Sequence, residues 1–127
     1  MKTDIPVWER YLDAPAREYL GYSYDVKVGE GDDPGLQYDE NLRSMWYCLT
    51  SRRIDVVGHL ADGYELIEVK MDAGIIAVGQ CVGYPILWRE TFPGLPLRGM
   101  RLVCASLSAD MRTMLEGCGV MVSVVQI

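Results

Sequence analysis

RIDVVGHLADGYELIEVK, residues 53–70, alternates apolar and polar side chains on either side of an Asp-Gly pair. Such alternation is typical of half-buried strands, and Asp-Gly favours a two-residue hairpin turn because both residues tolerate a positive φ angle. The segment therefore predicts two antiparallel strands joined at Asp62-Gly63. With those two residues as the whole loop, Asp55 would lie opposite Lys70.

The two faces of this hairpin differ in character. Because side chains alternate along a strand, Asp55, Glu68 and Lys70 share one face. Cross-strand neighbours lie roughly 5–8 Å apart, so the two carboxylates need a counter-charge. Lys70 supplies one, and a divalent metal ion would supply more. The other face is apolar and is expected to meet a core; it holds Ile54, Val56, Ile67 and Val69.

An Asp followed by Glu-x-Lys on the next strand resembles the PD-(D/E)xK nuclease superfamily. The matching residues are Asp55 and Glu68-Val69-Lys70, with Ile54 where the family often has Pro. Downstream, Gln80-Cys-Val-Gly-Tyr84 resembles the Gln-x-x-x-Tyr motif of the RecB-like branch. The resemblance covers about residues 40 to 127.

This resemblance implies a single nuclease-like domain over residues 1–127, with the αβββαβ core of the restriction-endonuclease-like fold. That fold is α/β, with a mixed central sheet flanked by helices. The implied activity is hydrolysis of DNA phosphodiester bonds with Mg²⁺ or Mn²⁺. Hard oxygen ligands suit both ions, and the implied ligands are Asp55, Glu68 and the backbone carbonyl of Val69.

The remaining roles also follow from the resemblance. Lys70 would orient or deprotonate the attacking water, and Gln80 would position that water or the substrate. Tyr84 would contact the DNA backbone or a base; it lies four residues from Gln80, hence on the same helix face. Two further positions stay open. Arg52 and Arg53 either contact phosphate or only keep a strand edge soluble. Glu9 is either a further acid of the site or a solvated helix acid.

Periodicity predicts the other elements without the resemblance. A strand, a helix and a strand close the chain, which indicates a parallel βαβ unit. The segment after Lys70 is so apolar that its helix is expected to be buried on more than one face, with its glycines against the sheet. Pro85 should end this helix near Tyr84 or bend it. The predicted elements are a kinked or two-part helix over 5–20 capped by Asp4, strands over 22–28 and 42–50, the central hairpin, the apolar helix from 73, a strand over 101–105, a helix over 109–116 capped by Ser108, and a strand over 120–125.

Composition limits the possible functions. The net charge of −6 counts against free nucleic-acid binding, because phosphate contacts need basic surface; it indicates weak intrinsic affinity or a partner that supplies the DNA contacts. The four scattered cysteines and single histidine do not favour a zinc site. Each cysteine lies in an apolar run, which favours free, buried thiols and a reducing cytoplasm. No signal-peptide or membrane-spanning pattern is present in the sequence.

A second hypothesis is non-catalytic. A domain of this kind can serve as a structural or adaptor module in a larger assembly, such as a phage particle or a DNA-processing complex, and would then be found within a virion or bound to a protein partner or to further copies of itself. The acidic composition and the aromatic, apolar sequence favour it. The presence of Asp55, Glu68, Lys70 and Gln80 together favours catalysis instead.

Overall fold

The computed structural model of the protein describes residues 4–30, 35–43 and 52–127. Within these ranges the five strands form one mixed sheet in the order β1-β2-β3-β4-β5, flanked by helices, which confirms the predicted α/β class. The elements are α1 (Ile5–Asp13), β1 (Gly21–Val28), β2 (Arg52–Leu60), β3 (Gly63–Ala73), α2 (Ile75–Thr91), β4 (Leu97–Leu107), α3 (Ala109–Gly117) and β5 (Met121–Val124).

The sheet changes from antiparallel to parallel at β3. Strands β1, β2 and β3 pair antiparallel, whereas β3, β4 and β5 pair parallel through the crossovers made by α2 and α3. The parallel β4–α3–β5 unit was predicted, as was its helix cap: the Ser108 hydroxyl accepts a hydrogen bond from the Met111 N–H. Among the described residues, no helix is long and apolar enough to cross a membrane.

The sheet has a core on each side. We call the side covered by α2 and α3 the front face; its core includes Leu66, Leu102 and Trp88. The back face is covered by α1, and its core includes Trp8 and Ile67. Even-numbered residues of β3 near the middle of the strand point to the front face and odd-numbered ones to the back.

The first helix is shorter than predicted. It ends at Asp13, and the predicted restart at Asp13-Ala-Pro does not occur. A residue before proline is disfavoured in the helical region, which explains why Ala14 ends the helix. The following segment, 14–20, is instead held to the sheet by side-chain hydrogen bonds from Arg17 and Tyr19.

Of the predicted strand over 42–50, most lies outside the described residues. Its first residues are wrong as a strand, because 40–43 form a helical turn. The Asp39 side chain accepts a hydrogen bond from the Leu42 N–H and so caps that turn.

The register of the β2–β3 hairpin differs from the prediction by two residues. Leu60 pairs with Gly63, so the loop is Ala61-Asp62 rather than Asp62-Gly63. Gly63 has a positive φ angle, and a Cβ at this position would lie 2.5 Å from the Pro96 carbonyl oxygen. A side chain at this position would therefore clash with the chain that enters β4, where the Tyr64 N–H donates to the same Pro96 carbonyl at 2.9 Å. The predicted pairing of Asp55 with Lys70 is wrong, but a shift of two residues does not exchange the two faces of the hairpin.

One residue of the predicted apolar face lies elsewhere. Val56, Ile67 and Val69 pack together in the back core as expected, whereas Ile54 is buried in the front core. The neighbouring strand also changes at this level, since Asp25 of β1 has a positive φ angle of 53°. The local distortion turns the ends of β1 and β2 toward α2.

Candidate active site

Asp55 and Glu68 lie beside each other where the β2–β3 ladder ends. The last backbone pair of that ladder joins Val56 to Ile67, and the same register continued places Asp55 opposite Glu68. The Asp55 N–H donates to Glu68 Oε1 at 3.0 Å, and the Val69 N–H donates to Asp55 Oδ2 at 3.0 Å. Each carboxylate thus satisfies a backbone donor that a regular ladder would have paired.

The carboxyl groups of Asp55 and Glu68 are harder to ionise than ordinary carboxyl groups. Glu68 is only 1% exposed. Burial first, and the nearby Asp55 charge second, raise the pKa of Glu68 to about 8. Burial also raises the pKa of Asp55, against the hydrogen bond from Val69 that lowers it. A buried acid beside a half-buried one favours a state that keeps a proton, or one in which a cation replaces it.

Lys70 completes the charged group on the front face. It is half-buried, two residues beyond Glu68 on β3, and its charge lowers the pKa of both Asp55 and Glu68. The structure therefore brings Asp55, Glu68 and Lys70 together, although Lys70 does not lie directly opposite Asp55. Val69 lies between the two motif residues of β3, with its backbone N–H turned to Asp55.

Helix α2 brings Tyr84 near this group, with Gln80 one turn before it. Burial first, and then the negative charges of Glu68 and Asp55, raise the pKa of Tyr84 to about 12. The Gln80 Nε2 donates to Tyr84 Oη at 3.4 Å. Among the described residues, the buried Oε1 of Gln80 has no hydrogen-bond partner. An unpaired buried acceptor next to Tyr84 indicates a place for a donor such as water or an organic ligand.

Cys81 also belongs to the surroundings of the site, although no motif pointed to it. Burial and then the Glu68 charge raise the pKa of the Cys81 thiol to about 12. The thiol therefore stays protonated and does not act as a nucleophile. Cys104 is likewise buried, but Cys118 is exposed, so the expectation that every cysteine is buried is wrong.

The two arginines of β2 are placed differently from the acids. Arg52 and Arg53 are both exposed at the start of the strand. The charge of Arg52 reaches Tyr84 and lowers its pKa. Arg53 pairs with Lys27 of β1 in the ladder, which puts basic residues on neighbouring strands.

Glu9 does not join the site. It is exposed on α1, which packs against the back face, and it borders a shallow cleft with Arg10 and Asp13. The first helix instead contributes Asp4. Its carboxylate was expected to cap α1, but it makes no cap hydrogen bond and accepts the Met71 N–H at 2.8 Å. Asp4 thus binds the same β3 backbone as Asp55, two residues further along, a contact that no local pattern foretells.

The back face holds a second buried acid that is fully paired. Glu65 is 0% exposed and accepts hydrogen bonds from Arg101 at 3.0 Å, Arg17 at 3.1 Å and Tyr19 at 2.6 Å. Arg101 also donates to Ser123 of β5. These bonds join four parts of the chain and leave no side-chain oxygen of Glu65 for a ligand, so this group is structural.

The oxygen donors on the front face fit a hard divalent cation only in part. Among the described residues, no group of three His, Cys, Asp or Glu side chains lies close enough to hold a metal ion. Mg²⁺ is commonly bound by one or two carboxylates plus waters and substrate phosphates. Asp55 and Glu68 fit that mode, with the rest of the coordination left to solvent and substrate.

Comparison with known proteins adds no relative: no family model, curated protein or solved structure matches the chain. The geometry of the front face therefore carries the functional argument alone.

Proposed function

We propose that the protein is a DNA nuclease that hydrolyses phosphodiester bonds with Mg²⁺ or Mn²⁺, and that Asp55, Glu68, Lys70 and Gln80 form its active site. The observation that carries the proposal is the pair of adjacent carboxylates, the half-buried Asp55 and the buried Glu68, near a helix that has an unpaired amide oxygen. Residues arranged only for stability would leave neither two acids side by side nor an acceptor without a donor.

The acids would act as the metal ligands. Asp55 and Glu68 would hold the cation, and Glu68 would give up its proton so that both carboxylates are charged. Mg²⁺ or Mn²⁺ held there would supply a more acidic water and a counter-charge for the phosphate. The hydrogen bonds from the Asp55 and Val69 N–H groups fix both carboxylates in place before binding.

The other residues would handle water and substrate. Lys70 lies within reach of the carboxylates and is suited to orient the attacking water or accept its proton. Gln80 Oε1 would accept a hydrogen bond from that water. Tyr84 would contact the DNA backbone or a base, and Arg52, whose charge already reaches Tyr84, would contact a phosphate. Arg53 would extend this basic edge.

A cleavage assay on several DNA forms tests the proposal. Single-stranded, double-stranded and branched DNA would each be incubated with Mg²⁺ and with Mn²⁺. We expect at least one form to be cut by the wild type and not by Glu68→Gln, which keeps the size of the side chain and removes its charge. Glu116→Gln is the matched control, because Glu116 is exposed on α3 and forms an ion pair with Arg112 at 2.8 Å. Absence of cleavage of every form by the wild type would sink the proposal.

A non-catalytic adaptor is the second candidate, favoured by one observation: α2 exposes large apolar side chains to solvent. The two candidates differ in what the front-face acids do. An adaptor needs no metal, so calorimetry with Mn²⁺ would then show the same heat for wild type and Glu68→Gln. A metal site lost in Glu68→Gln supports the nuclease.

A further inference from the structure

Two carboxylates take the place of a neighbouring strand along the last part of β3. The β2–β3 ladder has ended before Val69. The Val69 N–H donates to Asp55 Oδ2 at 3.0 Å, and the Met71 N–H donates to Asp4 Oδ1 at 2.8 Å. Alternate N–H groups of a strand point to the same edge, so both carboxylates continue the row of acceptors that β2 supplies earlier in β3. This edge of β3 is thus held by side chains from two different parts of the chain.

These two contacts hold the peptide groups that follow Glu68 and Lys70. A peptide group is planar, so a hydrogen bond to its N–H restrains the residue before it as well as the residue after it. Asp55 therefore restrains the backbone that follows Glu68, and Asp4 restrains the backbone that follows Lys70. On the other edge of β3, Lys70 pairs with Cys104 of β4. With Asp4 in place, β3 is bound on both edges at the residue that carries the ammonium group.

Asp4 can hold the strand because it is itself anchored. It immediately precedes α1, where Pro6 lies in the first turn and restricts the backbone. Val7 is 0% exposed and Trp8 is 4% exposed, so the start of this helix is fixed in the back core. An Asp before a helix usually accepts an N–H of the first turn, but Asp4 makes no such bond. Its carboxylate binds β3 instead of capping its own helix.

We propose that Asp4 is a positioning residue for Lys70, and that its bond to β3 keeps the ammonium group beside the two site carboxylates. Without this bond, β3 has a free edge at Met71 and can twist, which moves the half-buried Lys70 side chain. Among the described residues, Asp4 joins no group of three acids, histidines or cysteines that could hold a metal ion, so its role is separate from that of a ligand. The catalytic consequence of this contact rests on the proposed function, whereas the placement of Lys70 does not.

Steady-state cleavage kinetics test the catalytic consequence. Asp4→Ala removes the acceptor, whereas Asp4→Ser leaves a favoured N-cap residue before α1 but shortens the side chain by one bond. Both variants should keep the KM of the wild type and lose about 10- to 100-fold in kcat, since a small misplacement of a reacting group has an effect of this size. Asp4→Asn should keep most of the activity, because its amide oxygen can accept the same N–H.

Asp13→Ala is the matched control for these variants. Asp13 lies at the end of the same helix with a side chain that is 72% exposed, so the variant should cleave DNA like the wild type. An Asp4→Asn variant as defective as Asp4→Ala would show that the charge of Asp4 matters rather than its hydrogen bond, and would overturn the proposal. Wild-type kcat in both Asp4→Ala and Asp4→Ser would overturn it as well.

NMR of the lysine side chains tests the placement of Lys70 without any cleavage assay. The sequence contains three lysines, Lys2, Lys27 and Lys70, so dimethylation of the amines with isotope-labelled formaldehyde gives few signals, and the one missing from Lys70→Arg is that of Lys70. We expect Asp4→Ser to shift the Lys70 signal toward that of the exposed Lys27, and Asp4→Asn and Asp13→Ala to leave it unchanged. A Lys70 signal that is the same in Asp4→Ser and in the wild type overturns the proposal. If the wild type cleaves no DNA form but Asp4→Ser still shifts this signal, the nuclease proposal fails and the placement of Lys70 by Asp4 is supported.

Discussion

Glu68 is the residue whose surroundings say most about the front face. Its carboxyl group lies beside another acid in a nearly water-free position, and the nearest cation, Lys70, only partly offsets the cost. Such a group is stable when it carries a proton and is strained when it does not. This cost is explained if a cation takes the place of the proton in the working state of the protein.

The ionisation of Glu68 should therefore be visible in the pH dependence of the protein's stability. Its pKa in the folded protein, about 8, lies above the ordinary value of 4.5. An acid with a raised pKa contributes stability that is fully present below the ordinary pKa and is lost as pH rises through the folded value. The free energy of unfolding should thus fall between pH 5 and 8, by up to about 1.4 kcal/mol per pH unit.

Urea unfolding at several pH values measures this effect. Glu68→Gln should flatten the fall, because glutamine does not titrate, and Mg²⁺ should restore stability to the wild type at pH 8 and not to the variant. Glu116→Gln, at an exposed position, should show the same fall in the free energy of unfolding as the wild type. The same fall in wild type and Glu68→Gln would place the titrating group elsewhere.

Lys70 is the residue that separates catalysis from stability. Lys70→Ala should abolish DNA cleavage, since a group that orients water or accepts its proton typically contributes ~10²–10⁴-fold in rate. The fold should remain, because the half-buried Lys70 side chain leaves little cavity. Gel assays with Arg112→Ala as the control would measure the loss; an active Lys70→Ala would remove Lys70 from the mechanism.

At the scale of elements, the central hairpin shows what the sequence can and cannot predict. Alternation over residues 53–70 correctly indicates two strands and correctly puts Asp55, Glu68 and Lys70 on one face. The register is wrong by two residues, and the hairpin end is bound to a part of the chain distant in sequence, since the Tyr64 N–H donates to the Pro96 carbonyl. The hydrogen bonds from the Asp55 N–H to Glu68 and from the Val69 N–H to Asp55 belong to that register and could not be foreseen.

Helix ends and helix surroundings were harder to predict than strands. Composition predicts that α2 is buried on more than one face with its glycines against the sheet, but Ile75, Ile76 and Ile86 are exposed. A Cβ at Gly79 or Gly83 would meet no atom within 4 Å, so the prediction for these glycines is also wrong. An apolar helix looks much the same in sequence whether one face or several are buried. Similarly, α1 was extended to residue 20 because Tyr19 fits its apolar stripe. In the structure Tyr19 serves the Glu65 network instead.

That network should hold β3 and β4 together. Arg101→Met removes the main partner of the buried Glu65 and should lower the free energy of unfolding by about 3–5 kcal/mol, the usual cost of leaving a buried charge unpaired. Glu65→Met in the same chain should recover much of the loss, since no buried charge then remains. A double-mutant cycle by urea unfolding measures the coupling; additive losses would show that the two residues do not act as a pair.

At the scale of the whole molecule, the negative net charge opposes the DNA binding that the proposed site requires. A chain of net charge −6 repels DNA, yet the proposed activity requires DNA to reach the front face. Among the described residues, the basic side chains proposed to meet DNA are Lys70 beside the acids and Arg52 and Arg53 at the start of β2. Phosphate contacts should therefore be limited to about two or three, and the affinity for DNA should be weak.

The salt dependence of the DNA-binding constant measures the number of those phosphate contacts. The logarithm of the binding constant falls with the logarithm of salt concentration with a slope of about −0.9 per phosphate contact on duplex DNA. Two or three contacts predict a loss of roughly ten- to fortyfold between 50 and 200 mM salt. In the Arg52→Ala, Arg53→Ala double variant the slope should become shallower by nearly two units, because both phosphate contacts are lost. Fluorescence anisotropy with Ca²⁺ in place of Mg²⁺, to suppress cleavage, would measure this slope.

The control pair Arg98→Ala, Arg112→Ala removes the same charge from exposed positions outside the site, so it should lower the affinity slightly and leave the slope unchanged. If both double variants change the slope equally, Arg52 and Arg53 act only through the net charge of the molecule, and the path of DNA to the front face must lie elsewhere.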